Sequence, residues 1–553
     1  MNTPLASPAT PITELEPGYD VVVIGSGAAG LTAAVRAAHA GANVLVLEKA
    51  ALLGGTSSAG GGVIWAPNNH LAREAGFADS KAAGAAYLHA AAGHAVEQAD
   101  IDWFVDTAAQ AIEFLDGQTR VNLVPLARPD YHMEWDGAAH GGRSLDNLPF
   151  SGEGYPGLSA MLRPPTYFPL LSMIERDNLN GRAPDAGLLA KRAASGVRTM
   201  GGALVGSLAA TALDLGVVLA LEAPVTDMVR GDAGWRLTVD GSVAVRADAV
   251  VIASGGFEWN ERLRRAFLPL PVTPIGAPSN EGDGLELGLA VGATVRDMTA
   301  VWGVPVITPP AQQYDSRPSG RMGNVEMTLP GSITVNASGR RFVNEALNYH
   351  DAARVFANID PNTSHQANNP AWLVFDANYL EKYPVAGSTP GVPEEWMTSA
   401  ESLEDLGRAL GIDAAALAET VRIFNLDAEK GVDTGFGRGG SEQDRHLGDA
   451  SNLPNPCLAP LARAPFYAVP LHAGVLGTSG GLATNHDGQV MDRHGKPIEG
   501  LYAAGNVAAS VFRNNYPGGG ATLGSAVTRA FAAGRHIAAE VALTRESAGV
   551  IPA

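Results

Sequence analysis

The stretch YDVVVIGSGAAGLTAAVRAAHAGANVLVLEKA, Tyr19 to Ala50, constrains the fold more than any other part of the chain. Its apolar run Val21–Ile24 reads as a buried parallel strand, and Gly25, Gly27 and Gly30 form a G-x-G-x-x-G turn into an alanine-rich helix. Gly25 permits the tight turn, Gly27 lets a pyrophosphate approach the backbone, and Gly30 lets the helix lie close on the strand. The helix N-terminus then faces the phosphates. A second apolar strand, Val44–Leu47, ends in Glu48, 23 residues after Gly25. A carboxylate there accepts hydrogen bonds from ribose hydroxyls and disfavours a 2′-phosphate. The unit predicts an α/β, Rossmann-like dinucleotide-binding domain.

The rest of the chain sets bounds. At 553 residues it is too long for one core, so two or more domains are expected. No uncharged apolar stretch reaches the roughly 18 residues of a membrane span. Residues 1–17 have neither a basic nor a continuous apolar region, and read as a flexible leader, with the cytoplasm as the default compartment. A net charge of −19 argues against nucleic acid or anionic lipid as partner and favours a small molecule. A single cysteine, Cys457, rules out an intrachain disulfide and a Cys-cluster metal site; the 13 histidines show no ligand spacing, so no metal is expected.

After Glu48 comes LLGGTSSAGGGVIWAPNN, Leu52 to Asn69, whose backbone N–H groups and small hydroxyls Thr56, Ser57 and Ser58 could line a cofactor. Far downstream, GLYAAGNVAAS (Gly500–Ser510) repeats the pattern of a short strand entering small residues. The segment ADAVVIASGGFEWN adds a third strand ending in a glycine pair, and the preceding residues alternate strand and turn as a β-meander would. A chain whose end closes back on its first domain fits a flavin enzyme.

These motifs, with DYH, TMGGALVGSL, SNEGDGLEL, RRFVNEALNYHD, LHAGVLGTSGGLATN and YPGGGATLG, resemble flavoproteins of the fumarate reductase and succinate dehydrogenase superfamily. Within it, NEALNY and YPGGG resemble the 3-ketosteroid Δ1-dehydrogenases. The resemblance implies a FAD-binding domain from residues 18–281 and 448–553, with an α+β catalytic domain inserted at 282–447. It implies FAD contacts at Gly25, Ser26, Gly27, Ala29, Gly30, Glu48, Lys49, Gly55, Thr56, Ser57, Ser58, Gly61, Gly62, Val225, Ala253, Gly255, Gly505, Asn506, Thr522 and Leu523. FAD should be noncovalent, since GGTSSAGGG has no histidine to link it.

The same resemblance implies the chemistry. Desaturating a ring beside a ketone removes a proton next to the carbonyl and a hydride from the neighbouring carbon. The carbonyl oxygen must be polarised by fixed donors, and Tyr516 with the Gly520 N–H match the family's pair. Tyr349 matches the catalytic phenol and Tyr131 a helper phenol. A phenol has an ordinary pKa of about 10, so it needs stabilisation to act as a base. An electron acceptor must then reoxidise the flavin.

A fumarate-type reductase would need an arginine proton donor just after NE; the segment offers Tyr349 and His350 and no arginine before Arg354. A noncatalytic flavoprotein would not call for these phenols. A 3-oxo-5α-steroid Δ4-dehydrogenase, or a desaturase of a smaller ketone such as an oxocyclohexane carboxylate, stands as the alternative, the latter favoured by Arg513, which reads either as a partner for a substrate carboxylate or as a solvated surface side chain. The apolar, aromatic segment 155–181 reads as a lid over a hydrophobic substrate, as a patch touching a membrane or another subunit, or as packing within its own domain.

Overall fold

The computed structural model describes residues 8–92, 95–179, 183–232 and 234–547. Strand β1 (Gly18–Ile24) leads through a turn into α1 (Ala28–Ala38) and then β2 (Val44–Leu47), which pairs with β1 in parallel. Gly25 takes a φ of +107°, and a Cβ there would collide with the Ala253 carbonyl. A Cβ on Gly30 would likewise strike the Gly25 carbonyl. The first and third glycines are therefore steric requirements of the turn.

A short helix, α2 (Gly55–Ala59), follows; after a long excursion the chain re-enters through α3 (Met200–Asp214) and β3 (Val218–Ala220), beside β2. The expected meander is the antiparallel ribbon β4 (Val225–Gly231), β5 (Gly234–Val239) and β6 (Val243–Ile252), the last returning parallel to β1. The leader is not wholly free of this sheet. The Thr10 N–H donates to the Leu219 carbonyl at 2.8 Å, and Ile12 and Leu15 pack on the core, because both are apolar and the sheet edge has an open acceptor. Residues 1–7 lie outside the described residues.

The second layer is a seven-stranded sheet built on β7 (Val301–Ile307), β8 (Ser332–Asn336), β9 (Ala371–Asp376) and the long β10 (Phe466–Thr478), with helix α4 (Tyr349–Arg354) between β8 and β9. Strand β10 pairs antiparallel with both β7 and β9, and Thr273–Pro274 joins it in parallel. This sheet takes in residues on both sides of 282–447. The long apolar strand, Phe466–Thr478, lies beyond the expected boundary because its two partners lie before it.

The chain then returns to the first sheet. Strands β11 (Gln489–Met491) and β12 (Pro497–Ala503) complete the order β11-β12-β6-β1-β2-β3, and α5 (Ala521–Ser547) packs on α1. Both chain ends thus build one nucleotide-binding layer, and segments on either side of the second sheet meet at its face. Among the described residues, no helix is long and apolar enough to cross a membrane.

Candidate active site

A cavity of ≈ 690 Å³ runs between the two layers. Gly25, Gly27 and Ala29 line one end, at the start of α1, where Gly27 caps the helix without a side-chain acceptor. Glu48 is buried there: Oε2 accepts from the Ser26 hydroxyl at 2.7 Å, and Oε1 from the Ala50 N–H at 2.9 Å. Lys49 pairs with Asp283 at 2.7 Å and Glu281 at 3.0 Å. The Ser57 hydroxyl accepts from the Ala28 N–H at 3.1 Å, holding α2 against α1. Asn280 bridges Thr56 Oγ1, at 3.0 Å, to Glu258 Oε1, at 2.7 Å, and burial, against the Asn280 hydrogen bond, pushes Glu258 up to about 7.

Gly55, Gly61, Gly62, Val225, Gly255, Gly505, Asn506, Thr522 and Leu523 also line the cavity. The phosphate-facing helix end, the small-residue walls and the carboxylate at the end of β2 together fit an extended dinucleotide. Four of the expected contacts, Ser26, Gly30, Ser58 and Ala253, are not among the cavity-lining residues. Ser58 turns away and donates to the Arg163 carbonyl at 2.6 Å, Ser26 is taken up by Glu48, and Gly30 and Ala253 serve the turn at Gly25.

Three tyrosines far apart in sequence meet at the other end. The ring centroids of Tyr349 and Tyr516 are 5.2 Å apart at 71°, those of Tyr131 and Tyr349 5.6 Å at 79°, and Tyr131 stacks on Tyr516 at 5.7 Å. Their placement is built locally. The Tyr131 N–H donates to the Pro517 carbonyl at 3.2 Å, and the Tyr87 hydroxyl donates to the same carbonyl at 2.6 Å. Tyr349 is the first residue of α4, whose N-cap Asn348 accepts from the Asp351 N–H at 3.0 Å. His132, next to Tyr131, pairs through Nε2 with Asp351 at 2.8 Å, so the two phenol-bearing segments are tied together.

The Tyr516 hydroxyl accepts from Thr522 Oγ1 at 3.2 Å. Gly520 and Thr522 line the cavity together with Tyr516, and their backbone groups work in the direction of lowering its pKa. Gly520 has a φ of +100°, and a Cβ there would lie 2.6 Å from the Val63 carbonyl oxygen. Burial raises the pKa of all three phenols; for Tyr349 the fields of Tyr131 and Tyr516 raise it further, whereas hydrogen bonding to Tyr349 works in the lowering direction at its two neighbours.

Sequence reasoning missed the groups behind Tyr516. The Trp302 ring stands edge-on to it at 5.3 Å, with Nε1–H donating to Asn506 Oδ1 at 2.9 Å. His350 Nδ1 accepts from the Gly303 N–H at 3.3 Å, which leaves Nε2–H to donate to the Asn514 carbonyl at 3.2 Å. Burial and Arg354 push His350 down to about 4, so it is a neutral wedge with a fixed tautomer. Its position directly after Tyr349 was the available signal.

Arg513 does not line the cavity. Its Nε donates to the Ala95 carbonyl at 2.9 Å and Nη1 pairs with Asp297 at 3.1 Å, so the carboxylate role expected of it is not supported. Of the segment 155–181, residues 180–181 lie outside the described residues; the rest sends Tyr167, Phe168, Pro169, Met173 and Arg176 to the cavity wall, alongside Arg128 and Arg321.

Residues 20–523 match the family described as FAD binding domain. The chain is 38% identical to 4-oxocyclohexanecarboxylate 2-dehydrogenase of Sinomonas cyclohexanicum, over 95% of this chain and 93% of that one. It is 35% identical to 3-oxosteroid 1-dehydrogenase of Mycobacterium tuberculosis, over 94% and 98%. The crystal structure of 3-ketosteroid delta1-dehydrogenase from Sterolibacterium denitrificans, in complex with 1,4-androstadiene-3,17-dione, superimposes with a TM-score of 0.88 at 32% identity, covering 95% of this chain and 100% of that one. The protein therefore belongs to the FAD binding domain family of flavoproteins, in the group that contains the 3-oxosteroid 1-dehydrogenases.

Proposed function

We propose that this flavoprotein desaturates a cyclic ketone beside its carbonyl, with the A ring of a 3-oxosteroid, across C1 and C2, as the leading substrate. The observation that carries the reading is the meeting of Tyr131, Tyr349 and Tyr516, with Gly520 in the same lining, in a cavity whose other end fits FAD. The relatives named above support it.

In this reading the Tyr516 hydroxyl and the Gly520 N–H donate to the ketone oxygen, so that negative charge developing there is stabilised by donors already in place. Tyr349, ionised beforehand by passing its own proton by way of Tyr131 to bulk water, takes the proton from the carbon beside the carbonyl and returns to the neutral phenol. Burial makes that phenolate costly, and the hydrogen bond from Tyr131, stronger where water does not compete, offsets part of the cost. FAD, when bound, supplies the hydride acceptor for the hydrogen that leaves the next carbon. The products are the conjugated enone, a proton on the tyrosine pair and a reduced flavin, which an electron acceptor must reoxidise.

A second reading, a desaturase of 4-oxocyclohexanecarboxylate, is favoured by the 38% identity to the Sinomonas enzyme and by the arginines of the cavity wall. An anaerobic panel of steroidal and small cyclic ketones, followed by bleaching of flavin absorbance, tests both. Bleaching by a 3-oxo-4-ene steroid supports the leading reading; bleaching by small ketones alone transfers the assignment to the second.

A further inference from the structure

The cavity wall holds three guanidinium groups, and two are already engaged. Arg128 grips Asp177 with two hydrogen bonds of 2.8 and 2.5 Å. Arg321 donates to the Ala386 carbonyl at 2.6 Å and lies over the Tyr167 ring at 4.8 Å. Arg176 also lines the cavity, from the short helix Met173–Asn178. Its backbone is hydrogen-bonded within that helix, but among the described residues its guanidinium makes no hydrogen bond and no ion pair. Its carboxylate neighbours are accounted for: Asp177 is held by Arg128, and Glu326 accepts from the Ala386 N–H at 3.1 Å. Neither carboxylate contacts the Arg176 guanidinium, which is left without a direct counter-charge on this wall.

A guanidinium in a buried, largely apolar site without a partner is unfavourable, since it loses water and gains no counter-charge. Burial and the neighbouring Arg128 indeed hold Arg176 below its ordinary pKa, with Asp177 as the leading opposing influence. Phe168, Met173, Met322 and Leu347 supply an apolar part of the same cavity lining. Such a lining accepts a hydrocarbon ring and asks for one anionic group. The planar fork of arginine matches a carboxylate through two parallel hydrogen bonds.

We infer that Arg176 receives a carboxylate of the substrate, so that the preferred substrates are cyclic ketones carrying a carboxyl group away from the ketone. The assignment rests on the desaturase reading and refines it: the ketone is fixed at Tyr516 and Gly520, the carboxylate at Arg176, and the ring between them is held at two points. The carboxylate could come from a single small ring or from the side chain of a steroid acid. Arg513, the arginine that stood out in sequence, is replaced in this role by one inside the segment 155–181.

The test uses the FAD-loaded enzyme and two matched pairs: 4-oxocyclohexanecarboxylate with its methyl ester, and a 3-oxo-4-ene steroid bearing a side-chain carboxylate with its methyl ester. In the native enzyme kcat/KM should favour the acid over the ester by about tenfold to hundredfold in at least one pair, the expected reach of a charge-assisted bidentate contact. The pair that shows it identifies the ring size. Arg176→Gln should bring that ratio to within about threefold of one, acting mainly through the KM of the acid, and Arg176→Lys should restore part of it. An equal loss for acid and ester in Arg176→Gln, or a native enzyme indifferent to the carboxylate in both pairs, overturns the assignment while leaving the desaturase reading intact. Failure of all four ketones to bleach the flavin overturns the desaturase reading itself.

Discussion

The ring of Tyr349 stands 5.2 Å from that of Tyr516, inclined at 71°, although 167 residues separate them and they belong to opposite layers of the molecule. A base and a carbonyl donor must stand close together, since the proton to be removed sits on the carbon bonded to the carbonyl carbon that the donor polarises. Tyr349→Phe should therefore lower kcat by about 100- to 10,000-fold, the usual contribution of a positioned acid or base, with flavin content unchanged. Tyr131→Phe should have a smaller effect in the same direction. Stopped-flow flavin reduction measures both, and an unchanged rate in Tyr349→Phe removes it as the base.

Gly520→Ala should fail twice over. An alanine at a φ of +100° is strained, and its Cβ would lie 2.6 Å from the Val63 carbonyl oxygen. Thermal unfolding should show a loss of stability, and movement of the N–H should lower kcat. Tyr516→Phe removes the other donor without touching the backbone, and should lower kcat by about 100- to 1000-fold at native stability. Normal kinetics in Tyr516→Phe would exclude the phenol from carbonyl polarisation.

The His132–Asp351 pair should make stability depend on pH at both ends. Burial alone would lower the pKa of His132, but Asp351 and then Glu134 raise it above its ordinary value. Its contribution is thus complete below the unfolded value near 6.5 and is lost as pH rises through the raised folded value. Asp351, despite burial, is held at about 2 by His132 and Asn348, so its contribution is present above 3.8 and is lost as pH falls toward about 2. His132→Asn should cost about 1–3 kcal/mol near pH 6, and the gap in Tm between variant and native protein should narrow at higher pH.

FAD should leave the protein on acid precipitation. The α2 segment that lines the cofactor end carries Thr56, Ser57 and Ser58 and no histidine, so nothing there can form a flavin bond. Yellow supernatant and colourless pellet are the expected result, read at the flavin absorbance maximum.

Much of the site was legible in sequence because local chain geometry writes it there. The spacing of Gly25, Gly27 and Gly30 between apolar strands fixes a turn whose steric needs are settled within about thirty residues. Likewise YPGGG announces a backbone that must pass close to something, and the structure supplies Val63 and Trp65 as the close neighbours of Gly520. The two-layer architecture followed from the motifs at both chain ends. The edge of the inserted layer did not, because the pairing of β10 with β7 and β9 is a long-range match between apolar strands that no local pattern encodes.

The sequence by itself determined the nucleotide-binding unit, whose backbone demands are local, and through its motifs the family and the cofactor; the three phenols remain proposals that the family resemblance suggested. Only the tertiary structure decided which arginine is available. Arg513 and Arg176 are alike as residues, but folding placed Asp297 beside the first and left the second facing the cavity. Pairing and burial are set by neighbours hundreds of positions away, and these decide whether a charge is spent within the fold or remains to bind a substrate.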